Sequence, residues 1–81
     1  MKLPRDLSGD ELVRGLRRVG YEITRQKGDH VYMTTAEGGG EHHVTVPLHN
    51  PVKTGTLAAI LGSVAGHLNG NRDELLRRMK V

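Results

Sequence analysis

Between His42 and Leu48 the chain alternates with a period of two, placing Val44, Val46 and Leu48 on one side and His43, Thr45 and Pro47 on the other. Successive side chains of a strand point to opposite faces of its sheet, so this stretch predicts a strand with one buried face and one wet face. The sheet it belongs to is then covered by a second layer on one side only.

Two helical stripes supply that layer. Ser8-Gly9-Asp10-Glu11 is a capping box, flanked by Leu7 and Leu12 as a hydrophobic staple. Leu12, Val13, Leu16 and Val19 share one helical face, and Gly20 follows as a left-handed stop, so a helix is expected from about Asp10 to Val19. Leu57, Ile60, Leu61 and Val64 form a second stripe, on a helix capped by Thr54 or Gly55 and ending near Gly66. Asn71-Arg72-Asp73-Glu74 opens a short last helix through Leu75, Leu76 and Met79, of a length that favours fraying.

Two further strands fill the space between the helices. Alternation of Tyr21, Ile23 and Arg25 predicts a strand from Tyr21 to Lys27, Gly28-Asp29 is a turn pair, and a second strand runs from His30 to Thr35. Val31 and Met33 belong to its buried side, which puts His30, Tyr32 and Thr34 on the open side unless a bulge shifts the register. The glycine-rich loop from Ala36 to Glu41 lacks a phosphate-loop ending and is read as a mobile hairpin connection, while Pro47 to Lys53 is a turn segment. The expected fold class is α+β: a two-layer, three-stranded antiparallel sheet with both main helices on one face, in the order α-β-β-β-α, plus a short C-terminal helix. With 81 residues, 36% of them hydrophobic and no Trp or Phe, residues 1–81 make one small domain with a thin core.

The absence of cysteine removes disulfides and thiolate metal sites, and no apolar run reaches signal-peptide or membrane-spanning length. A soluble, cytoplasmic protein is expected, with no membrane partner. Twelve Lys and Arg against nine Asp and Glu leave a formal charge of +3, which favours polyanionic partners. Arg14, Arg17 and Arg18 cluster on the first helix, Lys27 lies at the hairpin, and Arg72, Arg77, Arg78 and Lys80 close the chain; as solvated helix faces these clusters need no ligand.

Chemistry concentrates at the hairpin. His30 begins a strand beside Lys27 and Arg25, and a neutral imidazole near cations that can hold a phosphate is the minimum equipment for cutting RNA without a metal. A histidine at a strand start is also simply a polar edge residue. His42 and His43 are neighbours in a strand and point to opposite faces, so they do not share an ion readily even with His30 or His49 nearby; no metal site and no small-molecule cofactor are expected. Ser8 and Ser63 lie on helices and support no Ser-His-Asp triad, and His67 reads as a cation near helix-end carbonyls.

Four separated blocks, S-G-D-E-L-V-R-G-L-R-R-V-G-Y, R-Q-K-G-D-H-V-Y, V-T-V-P-L-H and K-T-G-T-L-A-A-I-L, resemble the HicA toxins, also called YcfA-like proteins, over roughly residues 7 to 66. The resemblance implies a fold similar to the double-stranded RNA-binding domain, mRNA-cleaving toxin activity and a HicB-family antitoxin as partner. It places the functional histidine of that family on His30, and keeps a Pro-x-His element as Pro47-Leu48-His49 and a Gly-Thr-Leu signature as Gly55-Thr56-Leu57. Asp29 stands where the family has Ser, setting a carboxylate where it acts on the ring's protonation and on an approaching phosphate. The implied mechanism is metal-independent cleavage of mRNA, with His30 as general acid or base. Arg25 and Lys27 would hold the phosphate at the Gly28 turn, and Tyr32 would stack on or hydrogen-bond to a nucleotide. A non-catalytic RNA-binding module of the same fold is the alternative.

Overall fold

The structure, a computed structural model, describes residues 6–81. Its elements run α1 (Gly9–Arg18), β1 (Glu22–Lys27), β2 (His30–Thr35), β3 (His42–Pro47), α2 (Thr54–His67) and α3 (Arg72–Met79). The strands form one antiparallel sheet in the order β1-β2-β3, and the α+β two-layer architecture is the one the alternation in β3 predicts. Val31, Met33, Val44 and Val46 are buried with Leu12 and Leu16 of α1 and Leu57, Leu61 and Val64 of α2 in a single core. No helix among the described residues is long and apolar enough to cross a membrane.

The capping box is formed as its sequence dictates. Ser8 Oγ accepts from the Glu11 amide and Glu11 Oε1 accepts from the Ser8 amide, each at 3.1 Å. These bonds hold the Glu11 carboxyl below the usual carboxylate range. Gly9 opens the helix because its backbone lies directly on β3: an added Cβ would collide with the Pro47 carbonyl and stand 2.6 Å from the Leu48 Cα. The Gly9 amide donates to the His49 carbonyl at 2.9 Å, and the Val52 amide donates to the Leu7 carbonyl at 2.8 Å. The turn between β3 and α2, which contains a cis Asn50–Pro51 bond, is thus sewn to the start of α1.

One helix start departs from expectation and another forms as expected. Neither Thr54 nor Gly55 caps α2; the N-cap is Lys53, whose side chain makes no capping bond, and the first turn carries no acidic residue. In α3 the Asn71 side chain accepts from the Glu74 amide at 2.9 Å, and Leu75, Leu76 and Met79 are buried. Arg18 Nη1 donates to the Met79 carbonyl at 3.0 Å, so tertiary packing against α1 holds a helix too short to be stable alone.

The register of β1 also differs from simple alternation. Ile23 pairs with Met33 and Arg25 with Tyr32, which leaves Thr24 as the extra residue of a β-bulge, its hydroxyl donating to the Tyr32 carbonyl at 3.2 Å. Directly opposed residues share a face, so the bulge parts Arg25 from Ile23 and moves Arg25 and Lys27 to the open side with Tyr32 and His30. Every residue of β1 is exposed, Ile23 included at 45%, because this strand lies at the rim of the helical cover.

Gly9→Ala is expected to destabilise the fold by about 1–3 kcal/mol, since backbone rather than a flexible side chain must give way. Urea denaturation monitored by circular dichroism checks this; an unchanged midpoint would show that the α1–β3 approach tolerates a methyl group.

Candidate functional site

The open sheet face is built in rows by the pairing register. Lys27, His30 and Pro47 form the first, Arg25, Tyr32 and Thr45 the second, and Glu22, Thr34 and His43 the third. Gly28, at φ 60°, is the first residue of the two-residue turn that brings Lys27 opposite His30, and nothing would stand within 4 Å of a Cβ there. The Arg25 guanidinium carbon lies 5.8 Å from the centroid of the Tyr32 ring, a cation–π distance. All five residues singled out in the sequence, Arg25, Lys27, Gly28, His30 and Tyr32, therefore meet on one face or at its turn.

On the other side of His30 lies something the hairpin alone does not reveal. An open groove of about 360 Å³ is lined by His30, Thr45 and Pro47 from the sheet, and by His49, Lys53 and Thr56 from the turn and the start of α2. Asp29 joins the two histidines: its Oδ1 lies 3.0 Å from His30 Nδ1 and its Oδ2 3.4 Å from His49 Nε2. The Leu48 amide donates to the Asp29 carbonyl at 2.6 Å, so backbone geometry fixes the carboxylate beside the Pro47-Leu48-His49 segment. The rings of His30 and His49 are 51% and 49% exposed, so this cluster meets solvent and contributes on the order of 0–1 kcal/mol to stability. What it does is orient the rings. His49, Lys53 and Thr56 do not belong to the hairpin; in the sequence they stand in the Pro47-Leu48-His49 element and the K-T-G-T-L-A-A-I-L block.

The groove carries Lys53 at one end, and a second lysine lies next to it on the open sheet face. Lys27 stands opposite His30 across the hairpin, and Lys53 opens α2, whose first amides have no side-chain cap. A helix start with free N–H groups and no acidic side chain favours an anion, as does the lysine beside it.

The remaining histidines are structural. His42 and His43 point to opposite faces, as alternation requires. His43 Nδ1 is hydrogen-bonded to the Thr34 hydroxyl at 2.8 Å on the open face, while His42 turns inward to bond the Tyr21 hydroxyl at 2.6 Å and Ser63 Oγ at 2.9 Å. His67 stacks on His42 with centroids 4.5 Å apart, and its Nε2–H donates to the carbonyls of Glu37 and Gly40 at 2.6 and 2.9 Å. So His67 serves the glycine-rich loop rather than its own helix end, and it ties down a connection that composition alone marks as mobile. Desolvation pushes the His42 imidazole below its ordinary range, with the neighbouring His67 and His43 adding to the effect, and burial pushes the Tyr21 phenol up.

Residues 9–65, more than half of the chain, match the family model described as HicA toxin of bacterial toxin-antitoxin systems. No curated protein and no solved structure matches the chain.

The lowered His42 value carries a sign. Below the ordinary imidazole range, about 6.5, the unfolded chain binds this proton more readily than the folded one, so stability present at neutral pH is lost as pH falls towards the folded value. The urea midpoint is expected to drop between about pH 7 and about pH 5, and less steeply in His42→Gln; equal slopes for the two proteins would remove His42 from the account.

Proposed function

The chain belongs to the HicA toxin family of bacterial toxin-antitoxin systems, and on that premise we propose that it is an endoribonuclease that cleaves mRNA in the cytoplasm. The observation that carries this reading is the position of His30, between an open face bearing Arg25, Lys27 and Tyr32 and a groove bearing His49 and Lys53. A phosphodiester entering the groove meets cations on both sides of one half-exposed imidazole.

RNA brings its own nucleophile. The 2′-hydroxyl attacks the adjacent phosphate once its proton is removed, so the reaction asks the protein for proton transfer, charge neutralisation and alignment. His30 supplies the proton transfer, Lys27 and Arg25 neutralise the phosphate, and Tyr32 stacks on a splayed base, as single-stranded RNA permits. Gly28 takes the positive φ of the two-residue turn that sets Lys27 opposite His30. A toxin of this kind needs a neutralising partner. The economical surface for a HicB-family antitoxin is the same hairpin and groove, where an acidic segment would satisfy the lysines and exclude RNA.

Replacing His30 by Ala is expected to lower cleavage of a defined, labelled mRNA by about 10²–10⁴-fold in the presence of EDTA, with RNA binding retained. Undiminished cleavage by folded His30→Ala would end the assignment. Salt-dependent binding without cleavage by either protein would instead identify a non-catalytic RNA-binding module.

A further inference from the structure

We infer that His49 is a second catalytic residue, working with His30 as an acid–base pair whose two rings are oriented by Asp29. This rests on the ribonuclease reading above and goes beyond it, because that reading asks for one proton-transfer group and the geometry offers two.

The Asp29 carboxylate faces His30 through Nδ1 and His49 through Nε2. The opposite ring nitrogens, His30 Nε2 and His49 Nδ1, have no partner among the described residues, and both rings line the same groove. One carboxylate thus fixes two imidazoles and leaves each a nitrogen with which to exchange a proton. The backbone makes the arrangement rigid: Leu48 is bonded to the Asp29 carbonyl and the His49 carbonyl accepts from Gly9, so His49 is held from both sides through its main chain. The charged groups that face the pair are Lys27 from β1, Asp29 from the turn and Lys53 at the start of α2.

Two such groups complete the chemistry of RNA transesterification. One imidazole takes the 2′-hydroxyl proton as the 2′-oxygen forms its bond to phosphorus. The other, protonated, gives a proton to the departing 5′-oxygen as the phosphorus–oxygen bond breaks. The products are a 2′,3′-cyclic phosphate and a 5′-hydroxyl end, and no proton is gained or lost overall. Asp29 touches neither reacting atom and is a positioning residue.

The test compares pH–rate profiles for EDTA-treated wild type, His30→Ala, His49→Asn and Asp29→Asn on the labelled mRNA, with circular dichroism confirming folding and His49→Gln as a second variant. Wild type is expected to give a bell; His49→Asn to fall by about 10²–10⁴-fold and lose one limb; and His30→Ala to lose the other, with RNA affinity kept in both. Asp29→Asn is expected to lower kcat while RNA affinity stays unchanged, as the loss of a positioning group requires. A substrate with sulfur in place of the scissile 5′-oxygen needs no proton to leave, so it should restore one of the two histidine variants and not the other. A His49→Asn protein that cleaves at the wild-type rate with both limbs intact, beside an inactive His30→Ala, overturns this inference and leaves the ribonuclease reading standing. An inactive wild type overturns that reading, and this one with it.

Discussion

The close passage of Gly9 over the Pro47–Leu48 backbone is the contact on which the rest of the molecule depends. It lets the start of α1 exchange main-chain hydrogen bonds with the segment that follows β3, through Gly9 to His49 and Val52 to Leu7. That segment decides where His49 stands and where α2 begins. A core with no Phe or Trp offers little spare hydrophobic energy, and a domain of this size is stable by only about 5–15 kcal/mol. Backbone bonding that fixes the path of a turn is therefore a large share of what keeps the groove in shape.

The five histidines divide by environment rather than by sequence spacing. His42 and His67 are stacked and bonded at one end of the sheet, where they hold Tyr21, Ser63 and the glycine-rich loop. His30 and His49 lie at the other end, half exposed and sharing one carboxylate. His43 is bonded to Thr34 on the open face between them. A ring open to solvent is free to meet a solute, and an inward-turned ring needs its nitrogens satisfied; the fold separates these two environments along the length of β3.

Most of the fold was legible because it is written locally. The capping box at Ser8, the stripe from Leu57 to Val64 and the alternation in β2 and β3 each depend on residues close in sequence, and each formed. Thr24 was illegible as a bulge, since a threonine suits a regular strand equally well and only pairing with Met33 and Tyr32 shows it to be extra. The candidate site was half legible. His30, Lys27 and Tyr32 follow from the hairpin and its period, whereas His49, Lys53 and Thr56 reach the groove only through the path of the turn, which hydrogen bonds between distant residues determine. Lys53 as the N-cap of α2 was hidden because better capping residues follow it immediately, yet Thr54 and Gly55 already lie inside the helix.

The bulge at Thr24 has an effect on how copies of the chain meet. β1 is an edge of the sheet, and its outer amides and carbonyls would offer a neighbouring molecule a template for strand addition. The extra residue breaks the spacing of that template in its middle, and Glu22, Arg25 and Lys27 set charges along it. The irregularity that turns the cations towards the open face thereby also discourages the protein from polymerising through its own edge.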